Sequence, residues 1–131
     1  VLHRWMQHAI RQSKLVDSIG LLHGARAGHA ALASDMQEPF RHLMDRAVLE
    51  TLRRIRPEDF EPDERGPYPV RIKPRALRES LAWIHRILAK PCHGAGQSEP
   101  LPYRLQIYKQ VRSLRRCLTS PSATFEPFRH P

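Results

Sequence analysis

The sequence predicts an all-α fold, a helical bundle of about four main helices interrupted by a Pro-rich linker. Two observations predict it. Apolar residues recur at helical spacing in four separate stretches. Strand-like alternation is confined to Val70-Arg71-Ile72, where prolines at 67, 69 and 74 permit only a short edge piece.

The elements follow in order. Leu2, Trp5, Met6, Ala9 and Ile10 share one helical face, predicting a helix that runs to about Leu15 or Val16 and stops before Gly20. Phe40, Leu43, Met44, Ala47, Val48, Leu52 and Ile55 make a long amphipathic stripe that ends before Pro57, with Arg41, Arg46, Arg53 and Arg54 off that face. A third helix runs from Pro74, acceptable in a first turn, through Leu77, Leu81, Ile84 and Leu88 to Lys90. The fourth carries Leu105, Tyr108, Val111, Leu114 and Leu118, starting near Pro102 and ending before Pro121. Arg56 to Lys73 holds Pro57, Pro62, Pro67, Pro69 and five acids, and reads as an exposed linker. His93 to Ser98 reads as a flexible loop. Trp5, Trp83 and Tyr108 occupy apolar helical positions and are expected in the core rather than as base-stacking platforms.

At 131 residues and 15.2 kDa, the chain suits a single helical domain over 1–131, a size that hides roughly two-thirds of its unfolded surface. A hydrophobic content of 40% excludes a disordered tail. No apolar run approaches the roughly 20 residues of a membrane helix. The N-terminus lacks a signal layout, and the only cysteines are Cys92 and Cys117, so a reducing, cytoplasmic setting is expected.

Charge is segregated. Nine of the 13 acids lie between Asp35 and Glu64, a stretch that nets −4, and the rest of the chain nets +13. A positive body around a local acidic patch suits a polyanion, with a bound cation as one use for the acids. A solvated basic surface gives the same composition.

One segment carries candidate chemistry: Gly20-Leu21-Leu22-His23-Gly24 followed by Asp35-Met36-Gln37-Glu38-Pro39-Phe40-Arg41. Asp35 and Glu38, three apart, point the same way on one helical turn. His23 lies in a Gly-flanked turn that can fold back over the start of that helix. One imidazole and two converging carboxylates suit Mg2+ or Mn2+, an ion that polarises a phosphodiester and acidifies bound water. The same spacing is that of a capping box, with Asp35 as N-cap and Glu38 as its partner, and His23 fits equally as a turn histidine bonded to backbone. A zinc site from Cys92, His93, Cys117 and a further histidine lacks the close cysteine pair that zinc sites use.

The stretch IGLLHGARAGHAALASDMQEPFRHLMDR resembles the C-terminal signature of the CRISPR-associated endonuclease and integrase family, the "Cas one" protein of spacer acquisition. Gly20, His23 and Gly24 match its His-Gly turn, and Asp35, Glu38, Pro39, Phe40, Arg41 and Asp45 match its Asp-Leu-x-Glu-Pro-Phe-Arg helix. Glu58-Asp59-Phe60, Tyr103-Arg104, Gln106, Arg112 and the terminal Phe125-Glu126-Pro127-Phe128 are similar to later parts of the family, so the resemblance covers nearly the whole chain. It implies the family's C-terminal catalytic helical domain, with His23 and Glu38 as protein ligands of a catalytic Mg2+ or Mn2+ and with Asp35 and Arg41 as supporting residues. It implies a metal-dependent DNA endonuclease and integrase of antiviral CRISPR adaptation, working in the prokaryotic cytoplasm on double-stranded DNA as a homodimer bridged by the "Cas two" protein. The family also carries an N-terminal β-rich domain and a third ligand, a Glu upstream of the His. No Glu precedes Glu38 here, so a fragment or a truncated gene is expected, binding DNA with little turnover by itself.

The last helix carries Arg104, Lys109, Arg112, Arg115 and Arg116, and Lys109, Arg112 and Arg116 share a face. With Arg4, Arg11, Lys14 and Arg26 they are expected to track phosphates, giving binding that falls steeply with salt. Two competing readings remain at this point: a non-catalytic helical nucleic-acid-binding module, in which Asp35 and Glu38 form only a cap, and an inactive truncated relic.

Overall fold

The computed structural model describes residues 1–24, 29–94 and 97–129. The fold is helical, as predicted. Among the described residues the α-helices are α1 (Leu2–Gln12), α2 (Ala31–Gln37), α3 (Arg41–Leu52), α4 (Pro74–Leu88) and α5 (Tyr103–Thr119), and two small antiparallel hairpins accompany them. The chain forms two compact units, Val1–His42 with Ala89–Pro131, and Leu43–Leu88.

In the first unit, α1 buries Leu2, Met6, Ala9 and Ile10, close to the expected face, while Trp5 is only half-buried. The helix stops at Gln12, short of the predicted Leu15. Lys14 takes a left-handed backbone (φ 55°), its N–H bonds the Arg11 carbonyl, and Leu15 N–H reaches back to Ile10 O. This double closure satisfies the last carbonyls of a helix and ends it. The following loop is tied down at Asp17: its side chain accepts from Arg11 Nε and Nη2 at 3.1 and 2.9 Å, and its carbonyl accepts Leu32 N–H at 3.0 Å.

The short α2 has no counterpart in the predicted set. Ala31, Ala33 and Met36 are almost wholly enclosed, and two small residues on adjoining faces let the helix press against α1, where a longer stripe would not fit. Pro39 ends it, because a proline has no N–H and crowds the carbonyl four residues back. The backbone tightens instead into a 3-10 turn over Glu38–Phe40 before α3 begins.

α5 is rotated from its expected orientation. The buried stripe is Tyr103, Gln106, Ile107, Gln110, Val111 and Leu114, whereas Leu105 and Leu118 are exposed. Two glutamines enter the core because both amides find partners. Gln106 bonds Gln97 reciprocally (2.8 and 2.9 Å) and donates to Cys92 O at 3.0 Å. Gln110 donates to Met36 O at 2.8 Å. Pairing strands Pro91–Cys92 and Leu101–Pro102 close the connection before α5.

In the second unit the buried positions of α3 are Leu43, Ala47 and Thr51, a narrower stripe than predicted, with Val48 and Leu52 exposed. Thr51 is tolerated there because its hydroxyl donates to Ala47 O at 2.7 Å. On α4 the buried set is Ala76, Ile84, Ile87 and Leu88, and Leu77 and Leu81 are exposed, contrary to expectation. The expected linker contains a real hairpin, Phe60–Pro62 paired with Val70–Ile72, with Glu61 opposite Arg71 and bonded to it at 2.8 Å. Two of the acids there serve the backbone. Asp59 accepts Arg56 N–H, and Asp63 accepts Arg65 and Gly66 N–H, each stabilising a turn. Trp83 is half-buried with the Arg54 guanidinium 3.7 Å from its ring centroid.

Candidate functional site

The site is built from the loop at Gly20–Gly24 and the α2 to 3-10 junction, all within the first unit. Asp35 lies near the end of α2, and its side chain is only 3% exposed. It is not an N-cap, since α2 begins after Ala30; the capping-box reading is therefore overturned. Its carboxylate turns away from its own helix and gathers the preceding loop. Oδ2 accepts the N–H groups of Leu21 and Leu22 (the latter at 2.9 Å), and Oδ1 accepts His23 N–H at 3.1 Å. Oδ1 also bonds Nδ1 of the His23 ring.

Gly20 makes this closeness possible. A Cβ there would lie 2.5 Å from the His23 carbonyl oxygen and 2.8 Å from Asp35 Oδ2, so any side chain would push the loop off the helix. A Cβ at Gly24, by contrast, would meet no atom of the described residues within 4 Å.

Burial by itself would raise the Asp35 pKa. The N–H of Leu22, the His23 ring, and the N–H groups of Leu21 and His23 together outweigh it, and hold the carboxyl below its usual value. Asp35 is thus an anion, an anion only accepts hydrogen bonds, and the His23 contact must be Nδ1–H donating. With Nδ1 carrying a proton, the neutral form of the ring would have its lone pair on Nε2. The ring is half-exposed, with the His29 ring edge-on at 6.3 Å.

Glu38, first residue of the 3-10 turn, has a 45% exposed side chain paired with Arg41 Nη1 at 3.3 Å. The structure therefore couples the four predicted residues in two pairs, His23 with Asp35 and Glu38 with Arg41. Among the described residues no group of three or more His, Cys, Asp or Glu side chains is placed to hold a metal ion; the zinc reading of Cys92 and Cys117 gains nothing, and both thiols are free.

The predicted cations of α5 that are described, Arg104, Lys109, Arg112, Arg115 and Arg116, are all exposed. Among the described residues none of them is held in an ion pair. Lys109, Arg112, Arg115 and Arg116 line one groove of about 780 Å3 with Leu105 and Tyr108. Tyr108 is half-buried with the His8 ring edge-on. Arg11 is tied to Asp17 and so is not a free phosphate ligand. Arg26 lies outside the described residues.

The model of one protein family, CRISPR associated protein Cas1, matches residues 1–85. The chain belongs to the Cas1 family. It is 32% identical to CRISPR-associated endonuclease Cas1 3 of Thermus thermophilus over 98% of its own length, and spans 39% of that relative. Among solved structures it is similar to a casposase bound to integration product, with a TM-score of 0.79 and 29% identity, covering 92% of this chain and 35% of that one. A partial Cas6-RT-Cas1–Cas2 complex gives a TM-score of 0.77 at 22% identity over 96% of this chain and 37% of that one, which shows the fold. This Cas1 chain therefore shares the helical fold of the matched part of these relatives.

Sequence reasoning missed two residues that shape the site, Gln110 and Phe128. Phe128 stacks on Phe40 with centroids 4.7 Å apart, and its N–H donates to Gln110 Oε1 at 2.7 Å. The only signal was the similarity of Phe125-Glu126-Pro127-Phe128 to the family's terminus, which named a motif without a role.

Proposed function

We propose that this chain supplies part of the active centre of a CRISPR-adaptation nuclease and integrase, with His23 and Glu38 as ligands of Mg2+ or Mn2+. One observation supports this most: His23 is held by Nδ1 against a buried carboxylate. Metal-ligating histidines are usually oriented through their other ring nitrogen in this way, which fixes the tautomer and makes the free nitrogen more basic. The donor chemistry, one imidazole and one exposed carboxylate, fits a hard divalent cation, whose remaining positions water or phosphate oxygens can fill. When bound, such an ion would polarise a phosphodiester and stabilise the charge that develops on it.

The chain's own residues then take distinct parts. Asp35 holds the ring and the loop. Glu38 offers its carboxylate, and Arg41 either keeps that carboxylate in place or meets a phosphate. The α5 groove, with its unpaired cations, would track the backbone of double-stranded DNA without reading sequence. The Thermus relative bears the name endonuclease, the casposase was solved with integration product, and a neighbouring structure is a Cas1–Cas2 complex. These support DNA as substrate and Cas2 as partner, with a homodimer as the family resemblance implies.

The test uses the full protein, with any further segments its gene encodes, on labelled DNA in Mn2+. His23→Ala and Glu38→Gln should each reduce strand cleavage and joining by roughly 100-fold or more, with DNA affinity kept. Undiminished chemistry in both variants would overturn the assignment. DNA binding without any metal-dependent chemistry in the parent would favour a binding module.

A further inference from the structure

The backbone on either side of Glu38 is held by groups that belong to neither pair described above. Gln110 of α5 is 4% exposed and uses both ends of its amide. Its Nε2 donates to the Met36 carbonyl at 2.8 Å, and its Oε1 accepts the Phe128 N–H at 2.7 Å. Met36 lies two residues before Glu38, where the helical ladder of α2 gives way to the 3-10 turn. Phe40 lies two residues after it, is 1% exposed, and takes the ring of Phe128 face to face, with a 10° interplanar angle. Tyr103 closes the stack edge-on at 6.4 Å from Phe128. One continuous connection, Met36–Gln110–Phe128–Phe40, thus clamps the chain on both sides of the candidate ligand.

We propose that Gln110 and Phe128 are positioning residues for Glu38: by clamping Met36 and Phe40 they set where its carboxylate stands relative to His23. This rests on the reading of Glu38 as a metal ligand. A buried amide is a costly choice for filling space, since each unpaired end would be penalised. It is suited to fixing two backbone points at a defined separation. Gln106, one turn earlier on the same helix, is an internal control. It is as deeply buried, yet among the described residues its hydrogen bonds run to Gln97 and Cys92 rather than to the residues that flank Glu38.

The experiment titrates Mn2+ into the full protein, reading free Mn2+ by electron paramagnetic resonance, with thermal midpoints measured alongside. Gln110→Met keeps the shape and removes both bonds; Phe128→Ala removes the stack from a half-buried position near the terminus, and carries the test if Gln110→Met does not fold. Each should weaken Mn2+ binding about 10-fold or more, the range found when groups that orient a ligand are removed. Phe128→Tyr, which preserves the stack, should restore binding. Gln106→Met should lower the thermal midpoint as much as Gln110→Met but change Mn2+ affinity less than about twofold. Equal effects of Gln106→Met and Gln110→Met on Mn2+, or none from Gln110→Met and Phe128→Ala, would overturn the inference. Glu38→Gln, run in parallel, separates the two claims. If it weakens binding while the clamp variants do not, only the positioning role fails. If Glu38→Gln has no effect, the ligand reading itself fails and the positioning role falls with it.

Discussion

Replacing Asp35 by asparagine tests the central geometry, because the change is almost isosteric and removes only charge and one acceptor. The carboxylate accepts four hydrogen bonds, from Leu21, Leu22 and His23 N–H and from the His23 ring. An asparagine can present its one oxygen to Leu21 and Leu22, but its NH2 then faces the His23 N–H, donor against donor. Hydrogen bonds to a charged group contribute about 1.5–3 kcal/mol and neutral ones about 1. Two weakened bonds and one lost acceptor therefore come to roughly 3 kcal/mol. That is roughly a 100-fold change in the equilibrium for opening the loop. Residue-resolved amide exchange reads it directly: protection at Leu21, Leu22 and His23 should collapse while α4 amides keep theirs. The ring signals of His23 should also show loss of the fixed Nδ1–H tautomer. The pH arm has a definite sign. Asp35 ionises more readily folded than unfolded, so its stabilisation is complete above its ordinary value of 3.8 and is lost as pH falls below that, through the depressed folded value. Protection of the three amides should thus hold from neutral pH to about 4 and fall below it, and the asparagine variant should lack that acid limb. Unchanged protection in the variant, or an acid limb that persists in it, would refute the account.

Three further outcomes follow from the same geometry. Gly20→Ala should cost about 1–3 kcal/mol in urea unfolding and detach the His23 ring, because its Cβ would meet the His23 carbonyl and Asp35 Oδ2; a neutral effect would mean the loop is not seated as described. Phe40→Ala, at a site 1% exposed beneath Phe128, should cost about 3–5 kcal/mol by the same measurement. Arg112→Gln and Arg116→Gln should each lower the slope of log affinity for duplex DNA against log salt by about 1, equally for any sequence. Arg11→Gln should leave that slope alone, since its guanidinium is bound to Asp17; the opposite order would place DNA elsewhere on the molecule.

The parts of the fold legible in the sequence were those where apolar periodicity and proline agree. α1, α3, α4 and α5 all lie within their predicted stretches. Two kinds of feature escaped. The seven residues of α2 are too few for a period to show, and their burial depends on α1, which periodicity within α2 does not report. The rotation of α5 escaped because an apolar count places Leu105 and Leu118 inward and both glutamines outward. Gln106 and Gln110 are inside only because carbonyls from distant segments wait there, and such partners leave no mark on the local pattern. Of the hairpin, the sequence shows the short edge strand Val70–Ile72, while its partner Phe60–Pro62 is hidden in a linker-like stretch for a related reason. Its acids look like solvated charge until their backbone acceptor roles are seen.

The site shows the same division between what spacing carries and what only folding supplies. The three-residue interval between Asp35 and Glu38 does put both acids on neighbouring turns, but it says nothing of their opposite fates. Asp35 is buried and spends its oxygens on the His23 loop; Glu38, just across the helix break that Pro39 imposes, is left exposed with Arg41. The proline therefore does more than end a helix. With α2 continued unbroken through Glu38, the acid would follow the regular helical path, and the tight turn that Phe40 anchors and Gln110 brackets would not exist. By ending the helix, Pro39 leaves the carboxylate that orients the histidine inside α2 and puts the carboxylate proposed to share its ion at the start of the 3-10 turn. The pairing of roles follows from that break, and it is why two acids of like charge and close spacing are not interchangeable here.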